Sequence, residues 1–100
     1  MPIVAVYGFT GTFDREPSHA YEHPVPGATH QCMLFLSQAD EAPVEDLARA
    51  ECERYGFGSV TFTGFGPLGA EVLESEQFRG FAGLWQEAMR EGSALVFYPN

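Results

Sequence analysis

One hundred residues, 45% of them hydrophobic and nine of them phenylalanine, make a single domain able to bury a core without metal or disulfide support, which excludes a disordered chain. Fourteen carboxylates face five arginines and no lysine, a formal charge of −9, so direct nucleic acid binding is disfavoured and a basic protein partner favoured, although charge also serves solubility alone. Two cysteines are too few for a disulfide framework and suit a reducing, cytoplasmic setting, while no membrane-spanning run or basic leader is present, so no membrane association is expected.

Ile3 to Phe9 reads as a first strand, apolar on both faces, which Gly8-Phe9-Thr10-Gly11 then loosens into a turn or bulge. From Asp14 to Thr29 the pattern disappears, broken by Pro17, Pro24, Pro26 and Gly27, and a connection of this length is often functional. Pro17 suits the opening of a single helical turn through Glu22, with Pro24 closing it. Gln31-Cys32-Met33-Leu34-Phe35-Leu36 is a continuous apolar run of strand length ending at Ser37. Such a run suits a mid-sheet strand covered on both faces or nearly so.

Pro43 is placed to open a helix, Val44, Leu47, Ala48, Cys52 and Tyr55 recur along one stripe of it, and Gly56 ends it. Glu51 falls on that apolar stripe, which predicts a carboxylate at the edge of the packing or paired with a buried partner. Ser59 to Thr63 alternates with period two and reads as a strand. Gly64 to Gly69 is a turn by composition, and Ala70 to Leu73 a short hairpin strand. Ser75 is a good N-cap for a second helix, whose apolar face is Phe78, Phe81, Ala82, Trp85, Ala88 and Met89 and whose stop is Gly92. Ala94 to Tyr98 is the last strand.

From residue 31 onward this order is strand, helix, strand, short strand, helix, strand. It predicts an α+β fold: a ferredoxin-like split βαβ sandwich, two helices on one face of a mainly antiparallel sheet, with an extra N-terminal strand and a long 10–30 loop. The competing arrangement drops the strand at 70–73 and leaves βαβαβ with one added edge. Neither carries a function by itself.

Four constellations are candidates for chemistry or contact. His19-Ala20-Tyr21-Glu22-His23 is a literal match to the H-x-x-E-H string of inverted zinc peptidases, in which two histidines one turn apart hold the metal and the glutamate works on its bound water. His30 is then a third ligand if the loop folds back, with Asp14, Glu16 or Cys32 as others. Those peptidases are far larger, and Pro24 stops any helix at once. Gly64-Phe65-Gly66-Pro67-Leu68-Gly69 spells G-x-G-x-x-G, but the following strand carries no ribose-binding carboxylate, and a glycine-rich turn explains it better.

The acidic series Asp40, Glu41, Glu45, Asp46, Glu51 and Glu53, joined by Glu71, Glu74 and Glu76, is in large part accounted for by the helix dipole and by i,i+4 pairs of Arg49 with Glu45 and Glu53. What remains is an anionic surface that would meet a basic toxin, nuclease or DNA-binding protein by salt-sensitive association. Gly80 and Gly83 on the second helix mark a place where another chain would approach closely, a homodimer among the options. No Ser-His-Asp or Cys-His arrangement is legible, so no catalytic residue is assigned. The leading expectation is an acidic binding protein of the inhibitor or immunity-protein sort without a cofactor. The alternative is a small zinc-dependent enzyme centred on His19, Glu22, His23 and His30.

Overall fold

Alternation along the strands decides what covers each side of the sheet. The computed structural model describes residues 3–18, 24–40, 42–68 and 79–98. In chain order these form β1 (Ile3–Phe13), β2 (Thr29–Gln38), α1 (Glu45–Arg54), β3 (Phe57–Leu68), a 3₁₀ turn (Arg79–Phe81), α2 (Ala82–Glu91) and β4 (Ser93–Tyr98). The four strands make one antiparallel sheet in the order β3-β1-β2-β4. The expected α+β class therefore holds, with β2 mid-sheet as its apolar run requires.

Ala5, Tyr7 and Phe9 of β1 and Cys32, Leu34 and Leu36 of β2 join Ala48, Cys52 and Tyr55 of α1 in one buried cluster. The intervening residues Val4, Val6, Met33 and Phe35, with Ala94 and Val96 of β4, pack against Phe81, Leu84, Trp85 and Ala88 in a second. Successive strand residues point to opposite sides, so α1 and α2 cover opposite faces. The ferredoxin-like sandwich, with both helices on one face, is thereby corrected.

A second correction concerns strand identity. In a ferredoxin-like sheet the strand between the two ends of the first βαβ unit is the later hairpin strand. Here β1, the strand expected as an extra, lies between β2 and β3. The proposed strand at 70–73 and the Ser75 cap lie outside the described residues. The physical reason for the opposite placement of α2 is its connection. It precedes β4 and follows β3, two strands that run antiparallel at opposite edges, so the handedness rule for parallel crossovers does not fix its side.

The strands are longer than the composition suggested. Hydrogen bonds from Phe13 N–H to the Ala28 carbonyl (3.0 Å) and from Gly27 N–H to the Phe13 carbonyl (2.7 Å) extend the β1–β2 ladder, shortening the 10–30 loop to 14–28. Gly64 to Leu68 is not a turn but the second half of β3, paired with Gly8 to Val4. Pro67 is tolerated because β3 is an edge strand. Relative to β1, β3 is shifted in register between Gly8 and Phe9 and between Thr10 and Thr12. The bulge read around Gly8–Gly11 is therefore real, but β1 runs straight through it.

α1 ends where Gly56 takes φ 100°. A Cβ there would lie 2.8 Å from the Arg15 carbonyl oxygen and against the Phe13 ring, so both conformation and space require glycine. Gly92 closes α2 in the same left-handed way. At Gly80 and Gly83 a Cβ would meet nothing within 4 Å, so no contact within the described chain requires glycine there.

Candidate functional site

The alternation that buries Cys32, Leu34 and Leu36 continues to Gln38, which is 7% exposed. A buried amide needs partners, and Gln38 finds them in every direction. Tyr7 Oη donates to its Oε1 at 2.7 Å, and its Nε2 donates to the carbonyls of Asp40 (2.7 Å) and Ala42 (2.8 Å). Tyr7 Oη in turn accepts the Val44 N–H at 3.0 Å. Val44 is the N-cap of α1 and has no side-chain cap of its own, so a tyrosine from the sheet caps the helix. Asp40 Oδ1 accepts the Ala42 N–H at 3.0 Å.

This network fixes the segment that carries the acidic series. Asp40, Glu45 and Asp46 are exposed at the N-terminal end of α1, where they complement the positive end of the helix dipole. Glu41 lies outside the described residues. Glu53 stands two turns further along α1, with its carboxylate 4.0 Å from Arg15, so it is separated from the others and partly neutralised. Arg49 does not pair with Glu45 or Glu53. Its Nη1 donates to the Val60 carbonyl at 2.7 Å, and its guanidinium lies 5.2 Å from the Phe62 ring centroid. Glu51, with 13% of its side chain exposed, lies 3.8 Å from Arg54, whose side chain is 60% exposed, so this pair sits at the edge of the packing.

Leu47 departs from expectation. Read as part of the inner stripe, it is 54% exposed. With Pro43, Val44, Glu45 and Asp46 it lines a surface hollow of about 460 Å³. The arrangement is an exposed apolar side chain sharing one hollow with two carboxylates, on a hydrogen-bonded scaffold. Sequence reasoning missed Tyr7 and Gln38 as its supports; the signal was the polar residue standing in phase with the buried side of β2.

Of the four metal candidates only His30 falls among the described residues; His19, Glu22 and His23 lie outside them. His30 is 7% exposed on β2, edge-on to Phe97 with centroids 5.3 Å apart. Its Nδ1 lies 3.0 Å from the Tyr98 carbonyl. A carbonyl only accepts, so Nδ1 carries a proton, and Nε2 is buried with no hydrogen-bond partner among the described residues. Asp14 and Glu16 are exposed. Burial pushes the Cys32 thiol up to about 12, and a protonated thiol is a poor ligand. Among the described residues no group of three His, Cys, Asp or Glu side chains is placed to hold a metal ion. Gly64 to Leu68 of the G-x-G-x-x-G string are edge strand, and Gly69 lies outside the described residues.

No protein-family model, curated protein or solved structure matches the chain. Among the described residues no helix is long and apolar enough to cross a membrane.

Proposed function

We propose that the chain is a small acidic cytoplasmic binding protein, of the inhibitor or immunity-protein kind, that engages a basic macromolecular partner. The contact surface is the N-terminal end of α1: Asp40, Glu45 and Asp46, Glu41 beside them in sequence, and Glu53 at the periphery. The observation that carries this reading is the exposure of Leu47 beside the carboxylates of Glu45 and Asp46. Interfaces between proteins combine an apolar centre with a polar rim, and complementary charge adds speed and selectivity to such contacts.

The test separates a local site from diffuse charge. An arginine-rich peptide is titrated into the wild type, into Asp40→Asn/Glu45→Gln/Asp46→Asn, and into Glu16→Gln/Glu87→Gln/Glu91→Gln, which loses the same charge elsewhere. The first variant is expected to lose most of the binding and of its salt dependence, the second little. Equal losses would show that no local site exists. Leu47→Ser is expected to weaken binding without changing the salt slope.

The zinc reading keeps one supporting observation, the Nε2 of His30, without a hydrogen-bond partner among the described residues and behind an Nδ1 held by a carbonyl, the orientation that metal-bound histidines adopt. Calorimetric zinc titration decides it: absence of micromolar binding ends that reading.

A further inference from the structure

The two edges of the sheet differ in how they meet solvent. β3 carries two register shifts, Pro67, and Ser59 in the left-handed region at φ 51°, all devices that stop another strand from pairing. β4 has none of them. Its six residues, Ser-Ala-Leu-Val-Phe-Tyr, include no charge and no proline, and its ladder to β2 is regular from Ser93 to Tyr98. Among the described residues no strand lies beyond it.

The hydrogen-bond phase of this edge can be worked out. Ser37 N–H donates to the Gly92 carbonyl at 2.9 Å, so Ser37 and Gly92 are a hydrogen-bonded pair, and the phase alternates from there. Even-numbered residues of β4 therefore face β2. Ser93, Leu95 and Phe97 turn their N–H and C=O groups outward. Ser93 is only 4% exposed, its Oγ 3.0 Å from Tyr55 Oη, so the usable edge is Leu95 and Phe97, flanking Val96.

We infer that this edge pairs with β4 of a second copy of the chain, antiparallel, about a two-fold axis through Val96. In that register Leu95 faces Phe97 of the partner and both exchange N–H and C=O, giving four intermolecular backbone bonds. Side chains agree in kind: Leu95 meets Phe97 on the α1 face, Val96 meets Val96 and Ala94 meets Tyr98 on the α2 face. No carboxylate of β4 stands ready for a basic strand, whereas an uncharged copy of itself fits, and such isologous contacts close as dimers.

The geometry sets the experiment. Val96 and its counterpart form a non-hydrogen-bonded pair with Cα atoms about 4.5 Å apart, within disulfide range. Val96→Cys is expected to give a covalent dimer on mild oxidation, while Thr61→Cys on the β3 edge and the wild type, whose two cysteines are buried, do not. Sedimentation of the wild type is expected to approach twice the 11.0 kDa of one chain as concentration rises. The dimer is expected to strengthen with salt, because two anionic chains repel less when screened. That sign is opposite to the one expected for a basic partner, so the two proposals fail separately. A wild type that stays monomeric to millimolar concentration, or equal cross-linking of Thr61→Cys and Val96→Cys, would overturn the inference.

Discussion

Tyr7→Phe removes one oxygen and tests the scaffold beneath the acidic surface. Tyr7 is 1% exposed, and its hydroxyl serves two partners at once, Gln38 Oε1 at 2.7 Å and the Val44 N–H at 3.0 Å. A phenylalanine fits the same space, so the cost is that of the lost bonds and of the polar atoms left behind. A buried group stripped of its partner costs about 1–3 kcal/mol. Gln38 is buried and pays in full, whereas Val44 is half-buried and recovers part from water, which puts the expected loss at about 2–4 kcal/mol. With a urea m value of about 1–3 kcal/mol/M, the unfolding midpoint should fall by about 1–2 M at unchanged m. Pairing the change with Gln38→Leu completes a double-mutant cycle, with a coupling of about 1–2 kcal/mol because both apolar partners no longer leave an orphan. Amide exchange at residues 42–47 should quicken in the single variant, since the cap of α1 is gone. A Tyr7→Phe protein within about 0.5 kcal/mol of wild type, the size of an ordinary surface change, or an additive cycle, would refute the idea that this hydroxyl anchors the acidic segment.

Three further outcomes follow from local geometry. Burial pushes the Cys32 and Cys52 thiols up from 9.0 to about 12. The thiol-linked stability is thus fully present below pH 9 and lost as pH rises toward 12, where the unfolded chain has already released these protons; a denaturation series across that range should show the fall, and alkylation at neutral pH should require unfolding. Gly56→Ala meets both a φ of 100° and the Arg15 carbonyl oxygen at 2.8 Å, so a loss of about 2–4 kcal/mol is expected by urea denaturation. Ser59, exposed and at φ 51°, sits in a region costing about 1–2 kcal/mol for a non-glycine residue; Ser59→Gly should therefore hold or raise the melting temperature, while Ser59→Val lowers it.

The sequence carried more of the fold than the assembled topology used. Ile3–Phe9 and Cys32–Leu36 carry no polar side chain but the Tyr7 hydroxyl and the Cys32 thiol, which means cover on both faces of the sheet. Two helices on one face leave Val4, Val6, Met33 and Phe35 in water, so the apolar runs already argued against that sandwich. What outweighed them was the order of elements, and order does not specify the side of a helix whose flanking strands run antiparallel. The reading of Gly64–Gly69 as a turn failed for a related reason. Glycine and proline break regular structure where both edges must bond, but an edge strand needs partners on one side only, and β1 supplies them.

The candidate site was legible in its charges but not in its supports. Asp40, Glu45 and Asp46 could be named from the sequence because carboxylates before a helix have a clear electrostatic role. Leu47 was assigned to the core because its spacing fits the stripe, yet Ala48, Cys52 and Tyr55 already fill the α1 face of the sheet. A stripe position at the first turn of a helix lies beyond the strand ends unless the helix is centred on them, and α1 is held by its cap to Tyr7. The same bond that places the carboxylates thus exposes the leucine among them. Charge and apolar contact share one anchor, so on the proposed function loosening Gln38 or Tyr7 should weaken binding of the arginine-rich peptide even though both side chains are buried.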